Sequence, residues 1–449
     1  MTVSSGSSPR SVLCVDVGST FTKAALVDPG GEVRTAATPT THTTDVLDGV
    51  HLLARLLGAG PKTPTLACSS AGGGLRIAVV GYERQVTAEA GRRVALNAGG
   101  KVVHVTSGAL ASKGVAALRA ARPDIVLLVG GTDGGNSDVL LHNAVRLARA
   151  RVAMPVVVAG NREAGGEVAD VLQSTGRRYA LTDNVLPAIG EVAPEGARAA
   201  IREAFLRHVI GGKGLSRGRA FADLVRAPTP DAVLAGVEVL ASATHQDVLV
   251  VDVGGATTDV YSVVAPEPGA ERSRAEVVGP LPATRTVEAD LGVRWNAEGV
   301  VEAARREGLA TSPGLAPYAA SLTSRPDHLP ADAGERDLDL EIARLAATAA
   351  VRRHGRSPGP GRPPRDLSRV GLVLGSGGVL RYADPGRAAG VLGAVSTDYG
   401  GGWPVPRAPR SGIDEAYLLF VVGLLAGDMP ELAAQLALRL ADATVGVAG

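Results

Sequence analysis

The sequence predicts an α/β protein of two domains, and three observations carry that prediction. Short apolar runs rich in β-branched residues alternate with segments able to form helices. The pattern starts afresh near residue 246, and a strand running into a glycine turn in the first half recurs about 236 residues later.

In the first half, residues 12–17, 65–69, 101–105, 125–129 and 156–159 have the length and composition of buried strands and are expected to form an α/β sheet. In the second half, 248–253, 260–264 and 370–374 repeat that pattern, and the Ala/Glu/Arg-rich residues 338–353 read as a helix. The boundary is expected within 226–245, which gives a first domain at 11–240 and a second at 241–449. The polar residues 1–10 read as a disordered lead-in. HGRSPGPGRPPRD, 354–366, has too little apolar content to pack and is expected to be a flexible insertion, as more weakly is 266–273. Residues 413–440 read as two helices broken near Gly427 and Pro430, the second burying Leu432, Leu436 and Leu440 at four-residue spacing.

Composition narrows the function. A chain of 449 residues with 45% hydrophobic content can build two sizeable cores. A net charge of +1 lacks the cationic excess of a dedicated nucleic-acid binder. Two cysteines, Cys14 and Cys68, supply neither a four-cysteine cluster nor a disulfide framework, and a reducing cytoplasm fits them best. The N-terminus lacks the basic-then-apolar pattern of a secretory signal, and the apolar stretch 416–426 is too short for a bilayer, so no membrane association is expected. The eight histidines are scattered, with no i, i+4 pair beside a carboxylate. Cys14 reads as a core thiol, and nothing near Cys68 suggests an activated nucleophile.

Three segments carry chemistry. DVGSTFTK, 16–23, sits between two apolar runs and reads as a hairpin whose tip offers Gly18, Ser19 and Thr20 to phosphate oxygens, with Asp16 at the strand end to hold Mg²⁺ through water and Lys23 adding positive charge. A plain polar turn is an equal reading of that segment alone. VDVGGATTDV, 251–260, repeats it with Asp252, Gly254, Gly255, Ala256, Thr257 and Thr258. Asp259 there either caps the turn or touches metal. VLGSGGVL, 373–380, runs a strand into Gly375, Gly377 and Gly378, where the lack of Cβ lets backbone lie against an adenine or ribose face.

In this order the three resemble the phosphate-1, phosphate-2 and adenosine motifs of the actin, Hsp70 and sugar-kinase ATPase superfamily. A narrower resemblance lies in CSSAGGGLRIAVVGY (68–82), PDIVLLVGGTDGGN (123–136), VVAGNREA (157–164), DNVLPAIGEV (183–192) and RTVEADLGVRWNA (285–297), which look like the MutL/GlmL family encoded with glutamate mutase and related adenosylcobalamin-dependent mutases. The resemblance implies two actin-like ATPase domains of ribonuclease H-like topology with a nucleotide cleft between them. It also implies ATP and Mg²⁺ as cofactors and a cytoplasmic, ATP-dependent reactivating factor whose partners are the mutase subunits and which releases damaged cobalamin. Self-association is left open.

On this resemblance Asp16 and Asp252 match the two carboxylates that position Mg²⁺ and the attacking water. Gly18, Ser19, Thr20 and Lys23 match the first phosphate loop, Gly254 to Thr258 the second, and Gly375, Gly377 and Gly378 the adenosine turn. The additional water-orienting residue of the superfamily is assigned to Asp133, at the end of a buried strand, against an equal reading as a turn-holding carboxylate. Glu191, in an expected inter-domain helix, is a weaker alternative. A small-molecule kinase on the same fold is the runner-up function, and a non-catalytic nucleotide-dependent scaffold the third. Two cysteines 54 positions apart disfavour an iron–sulfur activator within one chain, and the absence of a DxHxxG sequence disfavours a cobalamin-carrying subunit.

Overall fold

The computed structural model describes residues 11–265, 281–357, 364–400, 402 and 404–446. The expected disordered start at 1–10, the segment 266–273 and residues 358–363 of the expected insertion lie outside the described residues.

The chain opens with β1 (Val12–Val17), β2 (Phe21–Val27) and β3 (Val33–Pro39), an antiparallel meander, followed by β4 (Thr65–Ser69), which pairs parallel with β1. Every β1 residue is buried, so VLCVDV reads as a continuous apolar run broken only by Asp16. The chain then builds a second, wholly parallel sheet from β5 (Leu75–Gly81), β6 (Gly100–Ser107), β7 (Ile125–Leu128), β8 (Val156–Val158) and β9 (Tyr179–Leu181), in the order β6-β5-β7-β8-β9. It returns to the first sheet as β10 (Val225–Pro228), parallel to β4, completing the order β10-β4-β1-β2-β3. The strands expected in the first half therefore belong to two sheets. Apolar runs of the same length and composition serve both, and only the long return at β10 separates them.

The helix Thr229–Thr244 follows β10 directly. Beyond it, β11 (Asp247–Val253), β12 (Thr258–Val263) and β13 (Ala283–Glu288) form a second meander. Next, β14 (Val370–Ser376) lies parallel to β11, β15 (Arg410–Ile413) parallel to β14, and β16 (Val445–Gly446) antiparallel to β15. The order β13-β12-β11-β14-β15 repeats that of the first sheet, strand for strand and direction for direction. This is the ribonuclease H-like plan twice over, with the parallel sheet inserted between the fourth and fifth strands of the first copy.

Contacts divide the chain into two compact units. Among the described residues, one holds 11–236, Leu281 and Phe420–Ala433, the other 237–265, the described part of Pro282–Leu419, and 434–446. Residues 420–433, read from sequence as part of the second half, thus pack with the first unit. The helix Leu418–Leu425 brings Gly423 so close to the helix Thr229–Thr244 that a Cβ there would lie 1.8 Å from the Ala232 carbonyl oxygen. Of the three leucines expected to be buried, the helix Pro430–Asp442 buries Leu436 and Leu440 and leaves Leu432 half-buried.

Candidate functional site

The two glycine turns are the same structure built twice. In the first, Gly18 N–H donates to the Phe21 carbonyl at 3.1 Å; in the second, Gly254 N–H donates to Thr257 at 2.9 Å. A Cβ at either glycine would stand 2.8 Å from that carbonyl oxygen, so a side chain cannot enter either turn without moving backbone. The register pairs Asp16 with Lys23 across β1 and β2, and Asp252 with Asp259 across β11 and β12. The residue closing each hairpin is therefore a cation in one copy and an anion in the other.

Each loop is held from behind through its carbonyls. Thr40 donates its Oγ1 to Gly18 O at 2.8 Å and its N–H to Thr20 O at 2.9 Å, and Ser19 Oγ donates to Ser70 O at 3.3 Å. In the second copy the support is the turn after β13: Val293 N–H reaches Gly254 O at 3.1 Å, Arg294 N–H and Trp295 N–H reach Gly255 O at 2.8 and 2.9 Å, and Asn296 Nδ2 reaches Ala256 O at 2.7 Å. Arg294 anchors that turn with a bidentate pair to Asp339 at 3.0 and 2.6 Å, whose carboxylate also accepts from the Tyr318 hydroxyl. With carbonyls held inward, Ser19, Thr20, Gly255 and Ala256 lie exposed at the tips, the arrangement that lets backbone N–H groups and hydroxyls face an anion.

Asp16 is 4% exposed. Its Oδ1 accepts from Thr229 Oγ1 at 2.6 Å and faces the Cys68 thiol at 3.7 Å, and its Oδ2 lies 3.7 Å from Lys23 Nζ. Burial, with the neighbouring Asp16 charge, pushes the Cys68 thiol well up, and burial alone pushes Cys14 up to about 12. Both cysteines are therefore thiols at neutral pH, which agrees with their reading as unactivated groups. In the second copy Asp252 stands beside Ser376 of β14. Asp259 accepts from the buried Arg285 guanidinium at 2.9 Å and from Thr257 Oγ1 at 3.3 Å, which makes it a paired, turn-holding carboxylate.

At the end of β14, Gly377 adopts φ +108°, and a Cβ on it would lie 2.2 Å from Val253 O. The glycine turn after β14 is thus pressed against the end of β11, where the second glycine turn begins. Gly375 is buried among Ile413, Leu380 and Leu392, and a Cβ on Gly378 meets nothing within 4 Å. The second unit brings together Asp252, Gly254, Gly255, Ala256, Thr257, Thr258, Gly375, Gly377 and Gly378. The first unit brings together Asp16, Gly18, Ser19, Thr20 and Lys23.

Asp133 stands elsewhere, in the loop after β7. Its Oδ1 accepts from Arg162 N–H and Asn184 Nδ2, both at 2.9 Å, and its own N–H donates to Pro187 O at 3.0 Å. With Asn184 Nδ2 to Gly131 O and Asn161 Nδ2 to Gly135 O, these bonds stitch together the carboxyl end of the parallel sheet; none of them runs to the group around Asp16. Glu191 lies in an exposed, non-helical turn bridged to Ala188; the helix that leads out of the first sheet is Thr229–Thr244. Thr40, Thr229 and Asp339 were missed by sequence reasoning, since each acts on a residue distant in the chain and none carries a local motif. Among the described residues, no group of three or more His, Cys, Asp or Glu converges as a metal site, and no helix is long and apolar enough to cross a membrane.

The description MutL protein matches residues 12–440. A relative named Protein MutL, from Clostridium tetanomorphum, is 36% identical over 94% of this chain and 97% of its own length. The chain belongs to the MutL protein family. Solved structures similar to this MutL-family chain are more distant. Nucleotide-free acetone carboxylase is 15% identical with a TM-score of 0.39, over 94% of this chain and 71% of that one. Component A of Acidaminococcus fermentans (R)-2-hydroxyglutaryl-CoA dehydratase is 11% identical with a TM-score of 0.32, over 96% and 99%.

Proposed function

We propose that this MutL-family chain is an ATPase that reactivates an adenosylcobalamin-dependent mutase, glutamate mutase or a relative, by releasing damaged cobalamin. The observation that supports it most is the duplicated turn, with one carboxylate at the strand end in each copy and an exposed tip, Ser19 and Thr20 in the first and Gly255 and Ala256 in the second, plus a third glycine turn packed on the second. The first tip offers phosphate oxygens its backbone N–H groups, Ser19 and Thr20, and the second offers its backbone N–H groups and Thr257. Lys23 supplies charge, and the adenosine half lies along Gly377 and Gly378.

The donor set fits Mg²⁺ in the form that ion takes with nucleotides, one or two carboxylates completed by phosphate oxygens and water. Asp16 and Asp252 are the residues that would hold it, and its chemistry there is neutralisation of charge on the phosphates. The chain's own task is positioning: the locked loops hold the phosphoryl group and Asp16 and Asp252 orient its surroundings. A change of nucleotide state then alters the surface offered to the mutase. We assign Asp133 to the organisation of the parallel sheet's loops, a reading supported by the two bonds its Oδ1 accepts there.

The test is Mg-ATP hydrolysis by the wild type and Asp16→Ala, with and without a cobalamin-inactivated mutase from the same source, while mutase activity is followed. Hydrolysis and recovery with the wild type and neither with the variant is the expected result. Turnover without recovery removes the partner and leaves the nucleotide site, and phosphorylation of a small-molecule acceptor in place of water points to a kinase.

A further inference from the structure

The carboxylate of Asp16 is tied to a residue 213 positions away, and nothing in the glycine motifs accounts for that residue. We propose that Thr229 is a positioning residue for Asp16, fixing the carboxylate in the one orientation that phosphoryl chemistry uses. The inference rests on the nucleotide reading given above.

The register explains how Thr229 arrives. Asp16 of β1 stands beside Cys68 of β4, and Cys68 beside Ala227 of β10, so the row across the sheet ends two residues before Thr229. There the chain turns from β10 into the helix Thr229–Thr244, and the first helical residue projects its hydroxyl back to Asp16 Oδ1 at 2.6 Å. The other neighbours of the carboxylate do not duplicate this bond. Cys68 Sγ, a weak donor, is 3.7 Å from the same oxygen, and Lys23 Nζ is 3.7 Å from Oδ2.

An Asp side chain rotates easily about its terminal bond, where the torsional wells are broad. A hydroxyl at 2.6 Å on one oxygen defines the carboxylate plane and leaves Oδ2 on the side of Lys23. Threonine suits the task because β-branching stiffens χ1. The same residue opens the helix that carries the chain across the division at Gly236 into the second unit. The carboxylate's orientation is thereby set by an element outside its own hairpin.

The experiment compares the wild type, Thr229→Val and Thr229→Ser in steady-state Mg-ATP hydrolysis, with the Mg²⁺ dependence measured for each and folding checked by circular dichroism and thermal melting. Valine keeps the branched shape and removes the donor. Thr229→Val is expected to lower kcat about 10- to 100-fold, the scale of a misplaced catalytic group, with the KM for ATP changed less than about 3-fold and the Mg²⁺ midpoint moved to higher concentration. Thr229→Ser is expected to restore kcat to within about 3-fold of the wild type. A folded Thr229→Val with wild-type kcat and Mg²⁺ midpoint overturns the proposal while leaving the nucleotide reading intact. Loss in both variants overturns it too, since it assigns the effect to shape and not to the hydroxyl. A wild type that neither binds nor turns over ATP overturns both readings together.

Discussion

Gly377 shows how one residue couples two motifs that the sequence keeps more than a hundred positions apart. Its positive φ is a conformation that L side chains rarely adopt, and the space a Cβ needs is taken by Val253 O. Gly377→Ala must both strain its own backbone and displace the end of β11, at a cost of about 1–3 kcal/mol from the strain alone. Gly378→Ala, one position on, has neither a positive φ nor a neighbour within 4 Å. It is expected to stay within about 0.5 kcal/mol of the wild type. Denaturant midpoints of the two variants check the contrast; equal losses would show that the turn does not bear on the loop. The glycines were legible in the sequence as a turn, but which of them is sterically required was not, because the obstructing atom belongs to another strand.

At the scale of elements, the end of the helix Ala333–Gly355 corrects the sequence reading most directly. Residues 354–366 were expected to form a flexible insertion, yet His354 is helical and buried. It is held by Ser262 of β12 at 2.8 Å and Thr286 of β13 at 2.9 Å. Arg365 returns to the same place, donating from Nε to Ser262 Oγ at 2.9 Å and from a second nitrogen to Thr284 Oγ1 at 2.6 Å. Proline and glycine content signalled irregular chain, but the polar residues flanking it are anchors, and hydropathy does not separate an anchoring His or Arg from a solvated one.

Burial, aided by the Arg365 charge, holds the His354 imidazole well below its usual value. The unfolded chain, with an ordinary value near 6.5, then binds the proton more readily than the folded one. The stability due to neutral His354 is therefore fully present above about pH 6.5 and is lost as the pH falls from there, by up to about 1.4 kcal/mol per pH unit. Chemical denaturation from pH 7.5 to 5 should show that slope in the wild type and a flatter one in His354→Asn. Parallel slopes would mean that other groups set the acid response.

For the molecule as a whole, the inserted parallel sheet is built into the first unit's core. Leu13, Val15 and Val17 of β1 share one apolar cluster with Ile77 and Val79 of β5 and Ile125 and Leu127 of β7. The alternate residues Ala78, Val80, Val126 and Leu128 face a separate cluster on the other side. One face of the insert thus packs with the first sheet, so the two should unfold together. Ile77→Ala, at a fully buried position, is expected to cost about 2–5 kcal/mol and to speed amide exchange in β1 and β7 alike. Faster exchange in β7 with β1 unchanged would show two independent sheets.

The sequence by itself determined β1, β2, β4, β6, β7, β8, β11, β12 and β14, the duplicated glycine turns and the family, because these are local: a buried strand is a short apolar run, and a turn without room for Cβ is a glycine at fixed spacing. It did not mark β3, β5, β9, β10, β13, β15 or β16. It also determined that the pattern occurs twice. Only the tertiary structure decided how the first-half strands divide between two sheets, since apolar runs carry no record of their partners. Only the tertiary structure gave Asp133 to its loop bonds and Asp259 to Arg285, and brought Thr229 to Asp16. Those pairings join residues separated by tens to hundreds of positions, and a hydrogen bond depends on where the fold delivers two side chains, which no spacing along the chain expresses.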